Sequence, residues 1–97
     1  MTPPHHGILS KYYRTSADFC YVLPGHVDDE AGALCEPVAV GVQVCKFGRV
    51  GMNQTVVVFG CGTIGLLCQA VARACGAKLV VGVDVSERRM ALAEEPG

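Results

Sequence analysis

Charge is scarce in this chain of 97 residues. Only 18% are charged, eight basic against nine acidic, for a formal net charge of −1. No run of Lys or Arg occurs, so the basic face that phosphate-backbone binding requires is missing and a nucleic-acid partner is disfavoured. No uninterrupted apolar stretch reaches about 18 residues, which excludes a membrane-spanning helix. The opening residues Met1 to Gly7 lack the basic and apolar regions of a secretory leader. No internal repeat or low-complexity segment is present. With 51% hydrophobic residues and a mean hydropathy of +0.36, an extended disordered tail is ruled out as well. A soluble chain with no membrane partner is expected.

Six cysteines are present, Cys20, Cys35, Cys45, Cys61, Cys68 and Cys75, but no C-x-x-C pair. They stand among Val, Ala and Leu, as small buried hydrophobes do, rather than in a disulfide framework. Free thiols imply a reducing compartment, the cytoplasm.

Two short strand-like runs, Ile8 to Tyr13 and Phe19 to Leu23, flank the turn-rich Thr15-Ser16-Ala17-Asp18 and close at Pro24-Gly25. Asp28 or Asp29 can cap a short turn through Leu34. Pro37 suits the first position of a helix over Val38 to Phe47, with Gly48 after its end. The Val-rich composition leaves a strand open there.

The remainder is more informative. Thr55-Val56-Val57-Val58-Phe59 is a continuous β-branched run, expected of a parallel strand covered on both faces. It leads into Gly60-Cys61-Gly62-Thr63-Ile64-Gly65. Ile64, Leu67, Cys68, Val71, Ala72 and Cys75 then repeat at helical spacing, with Gln69 and Arg73 on another face, and Gly76 ends the helix. Leu79 to Val83 is a second buried-type strand ending at Asp84, and Ser86 can cap a last helix that stops near Pro96-Gly97. The order predicts an α/β protein with one parallel βαβ unit.

A bare G-x-G-x-x-G is a weak signal. Here a strand precedes it, a helix follows, and Asp84 ends the second strand 19 residues beyond Gly65, near the ~20 of a dinucleotide fingerprint. Gly60 permits the sharp turn, Gly62 lets a pyrophosphate approach the main chain, and Gly65 lets helix and strand pack closely. Amides near Thr63 and Ile64 would face the phosphates. Asp84 would accept from both ribose hydroxyls and repel a 2′-phosphate, favouring NAD(H) over NADP(H). Arg88 or Arg89 could pair with a phosphate or lie over the adenine. Two other readings compete: glycines that merely shape a turn with Asp84 capping a loop, and a methyltransferase. The latter usually places an acidic residue where Phe59 stands.

Thr2-Pro3-Pro4, Phe19 to Pro24, Glu30 to Pro37 and Val56 to Gly65 occur in the same order in the zinc-dependent medium-chain alcohol dehydrogenases, and the chain most resembles their polyol branch. The resemblance covers nearly all of this chain but about a quarter of a family chain. It implies the last strands of a GroES-like catalytic domain with an interdomain segment over 1–35. Residues 36–97 would begin an incomplete NAD-binding Rossmann domain.

The implied reaction is hydride transfer between NAD and a polyol such as xylitol or sorbitol, held on zinc. By resemblance, Glu36 reaches the catalytic zinc, Tyr12 lines the polyol pocket, and Asp84 and Arg89 bind adenosine. The family's upstream zinc ligands have no counterpart here. His5 and His6 are expected as solvated loop residues, so this chain alone completes no metal site and is expected to be inactive. A non-catalytic nucleotide-binding or interaction fragment is the alternative, self-associating through exposed sheet edges. Met52-Asn53 stands where relatives usually carry Pro-Gly.

Overall fold

The computed structural model describes residues 7–94; His5, His6 and Pro96-Gly97 lie outside them. From Gly7 to His26 every residue is exposed, and the two expected strands do not form. Their only regular element is a 3-10 turn at Ala17–Phe19. A β-type composition becomes a strand only when a neighbour takes up its N–H and C=O groups, and no ladder joins either run to another described segment. The segment does touch the helix that follows, through Leu23 packed over Gly32.

Helix α1 runs unbroken over Asp29–Phe47. Asp28 caps it: its Oδ1 accepts from the Ala31 N–H at 2.8 Å, and Asp29 and Glu30 place negative charge at the positive end of the dipole. Pro37 therefore sits inside the helix and does not open it, which corrects the expected break. A proline in a helix interior costs about 3 kcal/mol. The cap before it and the packing of Gly41 and Cys45 after it outweigh that cost. The strand alternative for 38–47 is likewise excluded, and the boundary expected at 35/36 falls within α1.

Beyond Phe47 the chain reverses through Gly48, which keeps helical angles, and Arg49, which takes φ +51°. Arg49 N–H donates to the Lys46 carbonyl and Val50 N–H to the Cys45 carbonyl, so the left-handed residue of this cap is Arg49 and not a glycine.

Strand β1 (Thr55–Phe59), helix α2 (Thr63–Ala74), strand β2 (Leu79–Val83) and helix α3 (Glu87–Glu94) follow as expected. β1 and β2 pair in parallel, Thr55 against Leu79 through Phe59 against Val83. Gly76, at φ +90°, closes α2 with the same pair of reversing bonds that Arg49 makes for α1. The sheet presents Val56, Val58, Val80 and Gly82 to α2. Its other face, with Val57, Phe59, Leu79, Val81 and Val83, is uncovered among the described residues. The expected two-sided burial is thus one-sided here, because α2 covers only one face.

The core lies between α1, α2 and the sheet. Cys45, Cys61, Cys68, Gln69 and Ala72 are its buried residues, joined by Gly41 where α1 crosses α2. A Cβ on Gly41 would stand 3.2 Å from Val71 Cγ2 and 3.3 Å from the Leu67 carbonyl oxygen, so the helices meet at backbone distance. Three cysteines behave as small core hydrophobes; Cys20, Cys35 and Cys75 are exposed, contrary to expectation. Burial pushes the Cys45 thiol up, with Cys75 and Cys68 adding to the effect, so it stays protonated at neutral pH.

Candidate nucleotide-binding site

Everything that converges on the β1–α2 turn follows from where the two strands end. Because the strands are parallel and in register, Gly60 continues the ladder, donating its N–H to the Val83 carbonyl at 2.7 Å. Asp84 then lies beside the next residue of the turn. Gly60 adopts φ +106°, a conformation that side chains resist, and this turns the chain from strand to helix. Gly62 is the N-cap of α2 and its carbonyl accepts from Leu66 N–H at 2.9 Å. Lacking a side chain, Gly62 cannot cap the helix, and no acidic residue occupies the first turn. The amides of Thr63, Ile64 and Gly65 thus begin the helix with no intrahelical acceptor. Such a helix end attracts an anion.

The three glycines have different reasons to be glycine. A Cβ on Gly65 would overlap the Gly60 carbonyl oxygen and stand 2.8 Å from its carbon. Around Gly62 a Cβ would meet nothing within 4 Å, and its φ of −75° is ordinary. The fold itself does not need glycine at 62; the open space lies at the N-terminal end of the helix.

Asp84 faces this bend. Its Oδ2 accepts from the Cys61 N–H at 2.7 Å, and its Oδ1 from the Ser86 N–H at 2.9 Å. The Arg89 Nη1 lies 3.9 Å from Oδ2, with the guanidinium side chain largely exposed. Those amides, the Cys61 bond foremost, hold the carboxyl below the usual carboxylate range, with a smaller contribution from Arg89. The loop-capping role weighed from the sequence is therefore present, through Ser86, alongside the bond to the glycine turn. Asp84 and Arg89 share a hollow of about 340 Å³ with Phe59, Gly60 and Val85. A larger groove of about 870 Å³ follows the open edge of β1 and reaches Gly62, Thr63 and Ile64 at one end.

The structure brings together Gly60, Gly62, Thr63, Ile64, Gly65, Asp84 and Arg89. Glu36 is elsewhere, exposed on α1 in a shallow hollow with Ala39, Val40 and Gln43. Tyr12 is 91% exposed in the irregular segment. Among the described residues no group of three or more His, Cys, Asp or Glu side chains could hold a metal ion.

One residue was missed. Gln69 is buried and donates from Nε2 to the Cys61 thiol at 3.6 Å, although its spacing had set it with Arg73 off the apolar face. The covered stripe of α2 is Gly65, Cys68, Gln69 and Ala72, one step round from the apolar stripe, because α2 meets the sheet on one side and α1 on the other. The available signal was Gly82 in the interior of β2, since a glycine in a strand marks close approach by other atoms.

A parallel strand–glycine turn–helix–strand unit with an acidic residue at the second strand's end is part of a Rossmann-type dinucleotide fold. No protein-family model matches the chain. Curated relatives do. Probable D-xylulose reductase A of Aspergillus terreus is 48% identical over 93 residues, 96% of this chain and 26% of the relative. Sorbitol dehydrogenase of Rattus norvegicus is 48% identical over 96 residues, 99% of this chain and 27% of the relative. Among solved structures, an Escherichia coli oxidoreductase/dehydrogenase of unknown specificity superposes with TM-score 0.88 at 34% identity, covering 97% of this chain and 27% of the other. Galactitol-1-phosphate dehydrogenase from Escherichia coli superposes with TM-score 0.70 at 39% identity, covering 76% and 21%. The chain belongs to the alcohol dehydrogenase family, in the branch of these polyol dehydrogenases, and it spans about a quarter of the length of the curated relatives it matches.

Proposed function

We propose that this stretch forms the adenosine diphosphate half of the NAD site of a polyol dehydrogenase. The observation that carries this is the Asp84 carboxylate lying 2.7 Å from the Cys61 amide, beside a helix end whose first amides are uncapped. Those amides and the space at Gly62 suit a pyrophosphate. The lone pairs of Asp84 not taken by Cys61 and Ser86 suit the ribose hydroxyls, and its charge disfavours a 2′-phosphate, so NAD is preferred to NADP. Arg89 can leave its long contact with Asp84 to cover the adenine.

The reaction so served is hydride transfer between NAD and a polyol such as xylitol or sorbitol, giving the ketose, in a cytoplasmic, reducing setting. A catalytic zinc would polarise the alcohol, but it needs three converging protein ligands. The described residues do not supply them. Glu36 is the one residue proposed to approach such an ion, and Tyr12 to line the polyol pocket. The isolated chain is accordingly expected to bind nucleotide without turnover.

Titrating the purified chain with NAD and with NADP tests the nucleotide reading: saturable NAD binding supports it, and none defeats it. NAD reduction by xylitol or sorbitol with added zinc would overturn the expectation of inactivity. The bare sheet face, with Phe59 84% exposed, favours a second role compatible with the first: self-association through that face and the free strand edges.

A further inference from the structure

Cys61 stands between Gly60 and Gly62, yet its side chain turns away from the bend and is only 2% exposed. Three contacts meet on it. The end of β2 reaches its N–H through Asp84, at 2.7 Å. Helix α2 reaches its thiol through the Gln69 amide, at 3.6 Å. The middle of β2 makes room for both: a Cβ on Gly82 would stand 2.9 Å from the Cys61 sulfur and 2.8 Å from Gln69 Nε2. A buried amide such as Gln69, 4% exposed, calls for partners. Here one of them is a thiol small enough to lie over a glycine.

We propose that Cys61 is a positioning residue of the nucleotide site: gripped at its amide by Asp84 and at its thiol by Gln69, it fixes the peptides on either side so that the opening amides of α2 face a ligand's phosphates. The inference rests on the nucleotide-binding reading above and adds to it residues that touch no ligand, Cys61 by its side chain and Gln69. A weak bond to sulfur suffices, because the main-chain bond already restrains the same residue and the thiol need only prevent rotation about it.

The test uses the whole 97-residue chain and two readouts, NAD affinity by calorimetry and amide hydrogen exchange. Cys61→Ala and Gln69→Leu should each weaken NAD binding about fivefold and speed exchange at Cys61 and Gly62 several-fold, as loss of one hydrogen bond allows. Exchange at Ala72 in the core should be unchanged. Cys61→Ser, which keeps an acceptor for Gln69, should restore both readouts to within about twofold of the native chain. A purely space-filling cysteine would not show this rescue. Native-like affinity and exchange in both Cys61→Ala and Gln69→Leu would overturn the proposal. So would a native Cys61 amide that exchanges as freely as those of the exposed 7–26 segment. If Cys61→Ala loses protection at Ala72 too, it has unfolded and Gln69→Leu decides. If the native chain binds no NAD, the nucleotide reading fails while exchange still decides whether Cys61 is clamped.

Discussion

A Cβ on Gly65 would overlap the Gly60 carbonyl oxygen, so the first turn of α2 rests directly on the end of β1. A Cβ on Gly62, three residues earlier, would meet nothing within 4 Å. Two glycines of one motif thus answer to different demands, one to the fold and one to the space in front of it.

Gly65→Ala should destabilise the chain by roughly 3 kcal/mol, the upper range for forced overpacking, because the obstacle is backbone. Gly62→Ala, an N-cap substitution that meets no steric obstacle, should cost at most about 1 kcal/mol, yet weaken NAD binding. Urea unfolding and NAD titration of both variants separate the two effects; equal behaviour would contradict the assignment.

Asp84 links this site to pH. Its carboxyl is held below the ordinary range in the folded chain. The stability it contributes is therefore complete above the unfolded-state value near 4 and is lost as pH falls through the lower folded value. Urea midpoints measured downward from neutral pH should decline more steeply in the native chain than in Asp84→Asn.

The same residue should set cofactor preference. Asp84→Ala is expected to weaken NAD more than NADP. Asp84→Asn, which can still accept from Cys61 while carrying no charge, should keep more of the NAD affinity and narrow the preference by about tenfold. Equal losses for both cofactors in both variants would remove Asp84 from the ribose.

Arg49 occupies a left-handed position at the end of α1, where a side chain costs about 1 kcal/mol. Arg49→Gly should raise stability by about that amount, read as a higher urea midpoint with an unchanged slope.

Phe59 and Val57 project from the bare sheet face. Val57→Lys should reduce self-association in sedimentation experiments without altering the secondary structure seen by circular dichroism. An unchanged sedimentation profile in a native chain that does associate would place the contact elsewhere.

Much of this was legible beforehand where local chemistry was decisive. The β-branched run 55–59, the glycine spacing, Asp28 as a cap and Gly76 after α2 each state a local preference strong enough to survive packing. The 8–13 and 19–23 runs failed for the opposite reason: β-propensity describes a half-buried pleated surface, and among the described residues no strand lies beside them to create one. Pro37 misled because a proline interior to a helix is costly but not forbidden once a cap and a packed face surround it. Gln69 was misplaced because helical periodicity counts apolar residues, whereas a helix pressed between a sheet and another helix buries what lies on the contact line.

The amino-acid sequence alone determined that a strand, a glycine bend, a helix and a second strand would succeed one another, since backbone freedom at Gly60 and apolar runs on either side act over a few residues. Only the folded arrangement decided that the Asp84 carboxylate would grip the Cys61 amide, that Gln69 would turn inward over Gly82, and that Glu36 and Tyr12 would stand apart from them. Parallel register carries position 84 beside position 60, within side-chain reach of the Cys61 amide, and that alignment arises from pairing across the sheet, which no stretch of chain encodes by itself.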